Sequence, residues 1–244
     1  IRDTYGEAAA VFQKAVAMVR ATDSFLGQDE LYTKLLSMLA YHALYCGLYE
    51  SAENDAQRGL LLARTLSILE VEARCLVTLG DIDLEYGNYA EARQHLEEAT
   101  AIYSALDETY EAQFAGLSLA WSYKSLGEYD LAREYYHQLI LADKKRDADG
   151  LSAWILNSLG HLENLVGDYS SGLKHCTEAV AIFERQGHLV GLLAASKNLA
   201  NAYFGLDQLY EARHYFHVGL TAYVKHGEHV NSMIINTLAR IANL

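Results

Sequence analysis

The stretch LGEYDLAREYY, residues 126–136, decides how this chain folds. Gly127 lies two residues before Tyr129 and five residues before Ala132. Because glycine adopts the left-handed conformation that ends many helices without a Cβ clash, Gly127 predicts a helix end. Tyr129 then begins a second helix, and the small Ala132 lets this helix approach the first closely. The arrangement recurs as YGNYAEARQHL at residues 86–96 and as VGDYSSGLKHC at residues 166–176.

The glycines of these stretches belong to a repeat with a period of 40 residues. The series consists of Gly47, Gly87, Gly127 and Gly167, and its next position is Asp207. Eight residues before each of these sites lies a leucine followed by a small residue, as in Leu79 and Gly80. A second series with the same period contains Gly27, Gly187 and Gly227 and marks the end of a second helix. Each unit of the repeat is therefore predicted to be a pair of antiparallel helices.

Counting along the chain predicts the position of every helix. We expect a lone helix over 5–22, helix pairs within 28–66, 68–105, 108–145, 148–186 and 188–226, and a last helix over 229–243. No stretch rich in Pro, Gly or Ser interrupts the pattern, so residues 1–244 are predicted to form one continuous array. The chain begins with Ile1 and enters a helical pattern almost at once, so we expect it to be a piece of a longer protein.

Composition agrees with a helical protein and argues against several classes of function. Proline, which breaks helix interiors, is absent from the 244 residues. The 19 basic and 32 acidic residues give a net charge of −13, which repels a phosphate backbone and argues against direct nucleic-acid binding by this segment. Instead, the acidic balance favours a basic partner.

Location and chemistry are predicted mainly from what the sequence lacks. It has no signal-peptide pattern and no long apolar run, which predicts a cytoplasmic protein without a membrane segment. The three cysteines are scattered along helical patterns, as expected for buried thiols. His214, His217, His226 and His229 lack further ligands at zinc spacing, so no metal site is expected. No nucleophile motif or phosphate loop is present, and neither an enzyme nor a cofactor is predicted.

The repeat resembles the tetratricopeptide repeat in three places. The matching residues are Leu79, Gly80, Gly87, Tyr89, Ala92, Leu96 and Ala99; then Leu119, Tyr123, Gly127, Tyr129, Ala132 and Tyr136; and finally Leu199, Tyr203, Ala212 and Phe216. The period of 40 instead of 34 and the missing terminal proline resemble a long-helix subclass. That subclass occurs in kinesin light chains, bacterial peptide-sensing regulators and the sensor regions of maltose-activator-type ATPases. The resemblance implies an all-α fold, a right-handed superhelical solenoid of antiparallel helix pairs.

The resemblance also implies where a ligand binds. In this family, the first helix of each pair lines a concave groove and presents side chains at fixed positions. Carried over to this sequence, the candidate groove residues are Arg74, Asp81, Phe114, Trp121, Lys124, Trp154, Asn157, His161, Asn164, Lys197 and Asn201. They include both tryptophans of the chain, and tryptophan supplies a large and rigid contact area.

Three asparagines in this set suggest a binding mode. An Asn side chain both donates and accepts hydrogen bonds, so Asn157, Asn164 and Asn201 are predicted to hold the backbone of an extended peptide. The alternative is that these polar residues bond to one another or to solvent and bind no ligand.

Two functions follow from this interpretation. The first is a non-catalytic protein- or peptide-binding module, the sensor or scaffold part of a signalling or transcription-regulatory protein. The second is self-association, because Ile234, Ile235, Leu238 and Ile241 form an apolar stripe on the predicted last helix with no following helix to cover it.

Overall fold

The computed structural model describes residues 2–21, 28–107, 109–144 and 149–226, and over these ranges the chain forms eleven helices. In chain order they are α1 (Arg2–Ala21), α2 (Gln28–Tyr45), α3 (Tyr49–Leu66), α4 (Leu69–Tyr86), α5 (Tyr89–Ala105), α6 (Thr109–Ser125), α7 (Tyr129–Lys144), α8 (Asp149–Val166), α9 (Tyr169–Gln186), α10 (Leu189–Gly205) and α11 (Leu209–His226). The prediction of an all-α fold built from consecutive helix pairs is confirmed. The predicted helix over 229–243 lies outside the described residues.

The helices fall into two compact units, which we call unit 1 (residues 1–127) and unit 2 (residues 128–244). In unit 1, each of the helices α1 to α6 packs against the next helix along the chain. In addition, α4 contacts α2 and α6. In unit 2, α8 packs on α7 and α9, and α10 contacts α8, α9 and α11. Within each unit the even-numbered helices therefore lie side by side and present a common face. That the two units continue one array stays a prediction.

The glycine series ends the helices as predicted. Gly47, Gly87, Gly127 and Gly167 all have positive φ, between 78° and 88°. The left-handed conformation persists where the series lacks glycine, because Asp207 has φ 60°. The second series behaves alike, with Gly187 at φ 64° and with Ser67 and Asp107 at φ 56° and 60°. The backbone therefore keeps the period of the repeat where the residue type does not.

The small residues after the leucine column allow two helices of a pair to approach closely. Ala40, Ala120 and Ala200 are completely buried. At Gly80, an added Cβ would lie 2.6 Å from Cγ of Leu96 on α5. At Gly160, it would overlap Sγ of Cys176 and lie 3.2 Å from backbone atoms of α9. The pair α8 and α9 is therefore held together at backbone contact distance.

The interior is mainly apolar and includes two thiols. Cys75 and Cys176 are buried, and loss of solvation raises the pKa of each to about 12. Both thiols are therefore protonated and unreactive at neutral pH. None of the described helices is both long enough and apolar enough to cross a membrane.

Candidate functional site

The common face of α2, α4 and α6 in unit 1 contains a cavity of about 290 Å³. It is lined by Met38, Tyr41, His42, Arg74, Val77, Tyr103, Tyr110, Glu111 and Phe114, and we call it the aromatic cavity. Arg74 and Phe114 were predicted as groove residues. Tyr103, Tyr110 and Glu111 were not, because they lie on α5 and at the start of α6, away from the positions that the repeat assigns to the groove. Their signal in the sequence is a local cluster of aromatic residues at 103–114.

One guanidinium group, from Arg74, one carboxylate, from Glu111, and one imidazole, from His42, line the aromatic cavity. Nη2 of Arg74 donates a hydrogen bond to Oε1 of Glu70 at 2.6 Å, one turn earlier on α4. Lys34 makes the same contact with Glu30 on α2, also at 2.6 Å. The two cations therefore already have acidic partners on their own helices. The cavity itself is mainly an apolar and aromatic hollow.

Asp81 lies on α4, one helical turn beyond Val77 in the cavity wall. It is half-buried and accepts a hydrogen bond from the Ser118 hydroxyl on α6. Burial raises the pKa of Asp81 to about 7, the nearby Glu85 carboxylate adds to this rise, and the Ser118 hydrogen bond opposes it. Within the described ranges Asp81 forms no ion pair. A half-buried carboxylate without a cation is costly to keep ionised, and perturbed groups of this kind cluster at functional sites.

Trp121 and Lys124 lie further along α6. The Trp121 side chain is exposed over 41% of its surface, although tryptophan is a residue that folding usually buries. Nζ of Lys124 lies over the indole, 5.7 Å from the ring centroid, in a cation–π arrangement. Trp121 is therefore exposed on the surface of unit 1, with the half-buried Lys124 against its ring.

The predicted asparagines of unit 2 lie on α8 and α10, and two of them, Asn157 and Asn164, bond to a fourth asparagine, Asn198. Nδ2 of Asn198 donates to Oδ1 of Asn157 at 2.9 Å, and Nδ2 of Asn164 donates to the Asn198 carbonyl oxygen at 2.8 Å. Sequence reasoning missed Asn198, which joins the two helices. We call Asn157, Asn164, Asn198 and Asn201 the amide cluster.

The amide cluster is closed to solvent at its centre. Asn157 and Asn198 keep 7% and 5% of their surface exposed. The side-chain oxygens of Asn164, Asn198 and Asn201 are buried and have no hydrogen-bond partner among the described residues. Buried acceptors without a partner carry a free-energy cost, but atoms without accessible surface cannot reach a ligand unless α8 and α10 move.

The other predicted residues of unit 2 divide between core and surface. Trp154 packs edge-on against Phe183, with ring centroids 4.9 Å apart, and against His188 at 5.6 Å. It is therefore part of the contact between α8, α9 and the start of α10. His161 and Lys197 are half-buried on α8 and α10. In the part of the chain that the structure describes, no three His, Cys, Asp or Glu side chains are arranged to hold a metal ion.

Comparison with known proteins supports the resemblance on which these positions were chosen. A family model described as tetratricopeptide repeat matches residues 114–143. The same fold is seen in the crystal structure of BtubC (BKLC) from P. vanneervenii, which is 19% identical, with a TM-score of 0.72 over 93% of this chain and 94% of that chain. A search of curated proteins finds no match.

Two further solved structures share this fold, one with a bound factor and one with a repeat sensor. A Rap protein complexed with competence and sporulation factor is 14% identical, with a TM-score of 0.71 over 99% of this chain and 70% of that chain. A STAND signal-transduction ATPase with a tetratricopeptide repeat sensor, from Pyrococcus horikoshii, is 16% identical, with a TM-score of 0.68 over 88% of this chain and 32% of that chain. At these identities the similarity shows the fold alone.

Proposed function

Since this chain has the fold of tetratricopeptide-like repeat proteins, we propose that it is a non-catalytic module that binds a peptide or an extended segment of a partner protein. The binding surface is the common face of α2, α4 and α6 in unit 1. The module serves as the sensor or scaffold part of a signalling or transcription-regulatory protein.

The aromatic cavity is the observation that carries this proposal. Ligand sites are typically concave and mostly apolar, with a few polar groups that fix orientation. The walls here are mainly aromatic and apolar side chains, and Arg74 and Glu111 supply the polar groups. A large apolar side chain that leaves water for such a hollow gains roughly 1.5–3 kcal/mol. One anchoring residue of a peptide therefore suffices for a measurable contribution to affinity.

The solved structures with this fold support a binding role. The Rap protein was crystallised with competence and sporulation factor, and the STAND ATPase uses its repeats as a sensor. A sensor requires that the ligand bind one conformation of the repeats more tightly than another. Ligand binding at α2, α4 and α6 would favour the arrangement of these three helices that best closes the cavity.

The amide cluster of unit 2 gives no such support. Asn157 and Asn198 bond to each other and keep little exposed surface, as the alternative interpretation of these asparagines requires. A peptide-binding role for them stays a prediction, and it needs a movement of α8 relative to α10.

Selection from a phage-displayed library of random linear peptides tests the proposal. We expect enriched peptides to bind the purified chain and to lose about tenfold or more in affinity when Tyr110, a wall residue with 44% of its surface exposed, becomes Ala. Tyr210→Ala is the matched control, because Tyr210 lies on α11 and is 82% exposed. Equal loss in both variants, or no enrichment, would contradict the proposal.

Self-association is the second function predicted from the sequence. Its apolar stripe, Ile234, Ile235, Leu238 and Ile241, lies outside the described residues. This function therefore stays a prediction. Light scattering over a range of protein concentrations tests it, since a monomer at every concentration would contradict it.

A further inference from the structure

We propose that the binding surface of unit 1 recognises an extended peptide with an apolar residue for the aromatic cavity and a basic residue, two positions away, that pairs with Asp81. This inference rests on the proposed function and adds the chemistry of the ligand. It makes Asp81 the residue that determines specificity and the aromatic cavity the source of most of the affinity.

The positions of Asp81 and Ser118 support this assignment. Asp81 follows Val77 by one turn on α4, and Ser118 follows Phe114 by one turn on α6. Val77 and Phe114 both line the aromatic cavity. Because residues four apart lie on one helical face, the Asp81 carboxylate and the Ser118 hydroxyl lie on the order of 6 Å beyond the cavity wall, on the same surface.

The charges around Asp81 favour the binding of a cation beside its carboxylate. Its polar neighbours are the Ser118 hydroxyl and a second carboxylate, from Glu85, and no basic side chain of the described residues pairs with it. The cation nearest in sequence, Arg74, is bonded to Glu70. A ligand ammonium or guanidinium group would replace the missing counter-charge and form a charge-assisted hydrogen bond in a partly desolvated site. The net charge of −13 further favours approach of a basic ligand.

The spacing of the two ligand residues follows from strand geometry. Residues i and i+2 of an extended peptide point to the same side and lie about 6.4–6.8 Å apart. This separation matches the step of one helical turn from the cavity wall to Asp81. A peptide of the form apolar–any–basic therefore places both side chains at once, whereas adjacent residues point to opposite sides.

Trp121 adds a second reason to expect a cation at this place. It occupies on α6 the position that Asp81 occupies on α4, 40 residues earlier, and its indole is exposed. An indole face attracts cations, and Lys124 already lies over this ring. Lys124 over this ring shows that the surface of α6 beside Ser118 accommodates a cation, and Asp81 on the neighbouring α4 supplies the carboxylate.

Three series of capped peptides of the form Phe–Ala–X test the inference, with X being Lys or Arg, norleucine, or Glu, each embedded in the same Gly–Ser flanks. Fluorescence anisotropy with the purified chain measures affinity. We expect the basic series to bind about tenfold or more tighter than the norleucine series, and the Glu series to bind most weakly. In Asp81→Asn, the basic and norleucine series should bind equally. Glu91→Gln removes one charge from the exposed side of α5 and should leave the preference unchanged.

The outcomes separate this inference from the proposed function. If peptides bind and Tyr110→Ala weakens them, but the norleucine or Glu series binds as well as the basic series, the inference fails and the proposed function stands. A basic preference that survives in Asp81→Asn assigns the cation to another residue and also overturns the inference. If no series binds, both fail.

Discussion

The two units place different chemistry at equivalent positions of the same repeat. Val77 and Asn157 are 80 residues apart, two periods of the repeat. Val77 lines the aromatic cavity of unit 1, whereas Asn157 bonds to Asn198 in unit 2. Likewise Arg74 lines the cavity, and its equivalent Trp154 packs on Phe183. The repeat thus determines which positions share a face, and the side chains determine whether that face stays open or closes on itself.

The closest contact between paired helices also differs between the units. Substitutions at these contacts should have the largest effect on the free energy of unfolding. Gly160→Ala in unit 2 should destabilise the chain by about 3 kcal/mol, because the new methyl group meets Cys176 and also backbone of α9. Gly80→Ala in unit 1 should cost less, about 1–2 kcal/mol, because it meets side-chain atoms of Leu96 and no backbone. Urea denaturation at equilibrium measures both.

A second substitution checks the cause of the Gly160 effect. Cys176→Ala removes the sulfur that the added methyl group overlaps, so it should recover part of the loss when combined with Gly160→Ala. Full additivity of the two changes, or an equal cost for Gly80→Ala and Gly160→Ala, would show that α8 and α9 are not packed more closely than α4 and α5.

The amide cluster should matter for stability more than for binding. Asn157→Ala leaves the buried Nδ2 of Asn198 without its acceptor, at a cost of about 2 kcal/mol. The affinity of the Asn157→Ala variant for a peptide whose binding depends on Tyr110 should stay unchanged. A double-mutant cycle with Asn198→Ala measures the coupling by urea denaturation, and the double variant should be less destabilised than the sum of the single variants. A large loss of peptide affinity with unchanged stability would instead favour the amides as ligand contacts.

Much of the fold could be predicted because the repeat consists of residue types with strong backbone preferences. The glycine column predicted helix ends that lie within three residues of the observed ones from α2 onward. The site was harder to predict, because a groove position shows on which face a side chain lies but not which residues it contacts. Asn198 was missed because its role depends on Asn157 across two helices, and Tyr110 because aromatic residues at a helix start do not follow the repeat.

The half-buried carboxylate of unit 1 makes stability depend on pH. The pKa of Asp81, about 7, lies above the value of an unfolded aspartate, so the folded state binds the proton more tightly. Its contribution is therefore fully present below about pH 4 and is lost as pH rises through about 7. Asp81→Asn should stabilise the chain by about 1–2 kcal/mol at about pH 8, after allowance for partial exposure, and by little at about pH 4.5.

Thermal unfolding of the wild-type chain and Asp81→Asn across this pH range provides the measurement. Unit 2 supplies the control, because Asp168 caps α9 by accepting from the Ser171 amide at 3.1 Å. Hydrogen bonds from the Ser171 hydroxyl and from this amide lower the pKa of Asp168. Asp168→Asn should therefore bring no gain at high pH. A gain from Asp81→Asn that is the same at both pH values would refute the assignment of a raised pKa to this carboxyl group.

The smallest effects are expected at the helix ends, where both units have the same backbone but different residues. Asp107 in unit 1 and Asp207 in unit 2 adopt positive φ, which costs a residue with a Cβ about 1 kcal/mol relative to glycine. Glycine also gains entropy in the unfolded chain, so Asp107→Gly and Asp207→Gly should stabilise by only about 0.5 kcal/mol each. Gly167→Ala is the reverse test, because nothing lies within 4 Å of the added methyl group and only backbone strain, about 1 kcal/mol, remains. If the Asp→Gly changes destabilise while Gly167→Ala also destabilises, the aspartate side chains themselves stabilise these turns, and glycine is not the preferred residue at every position of the series.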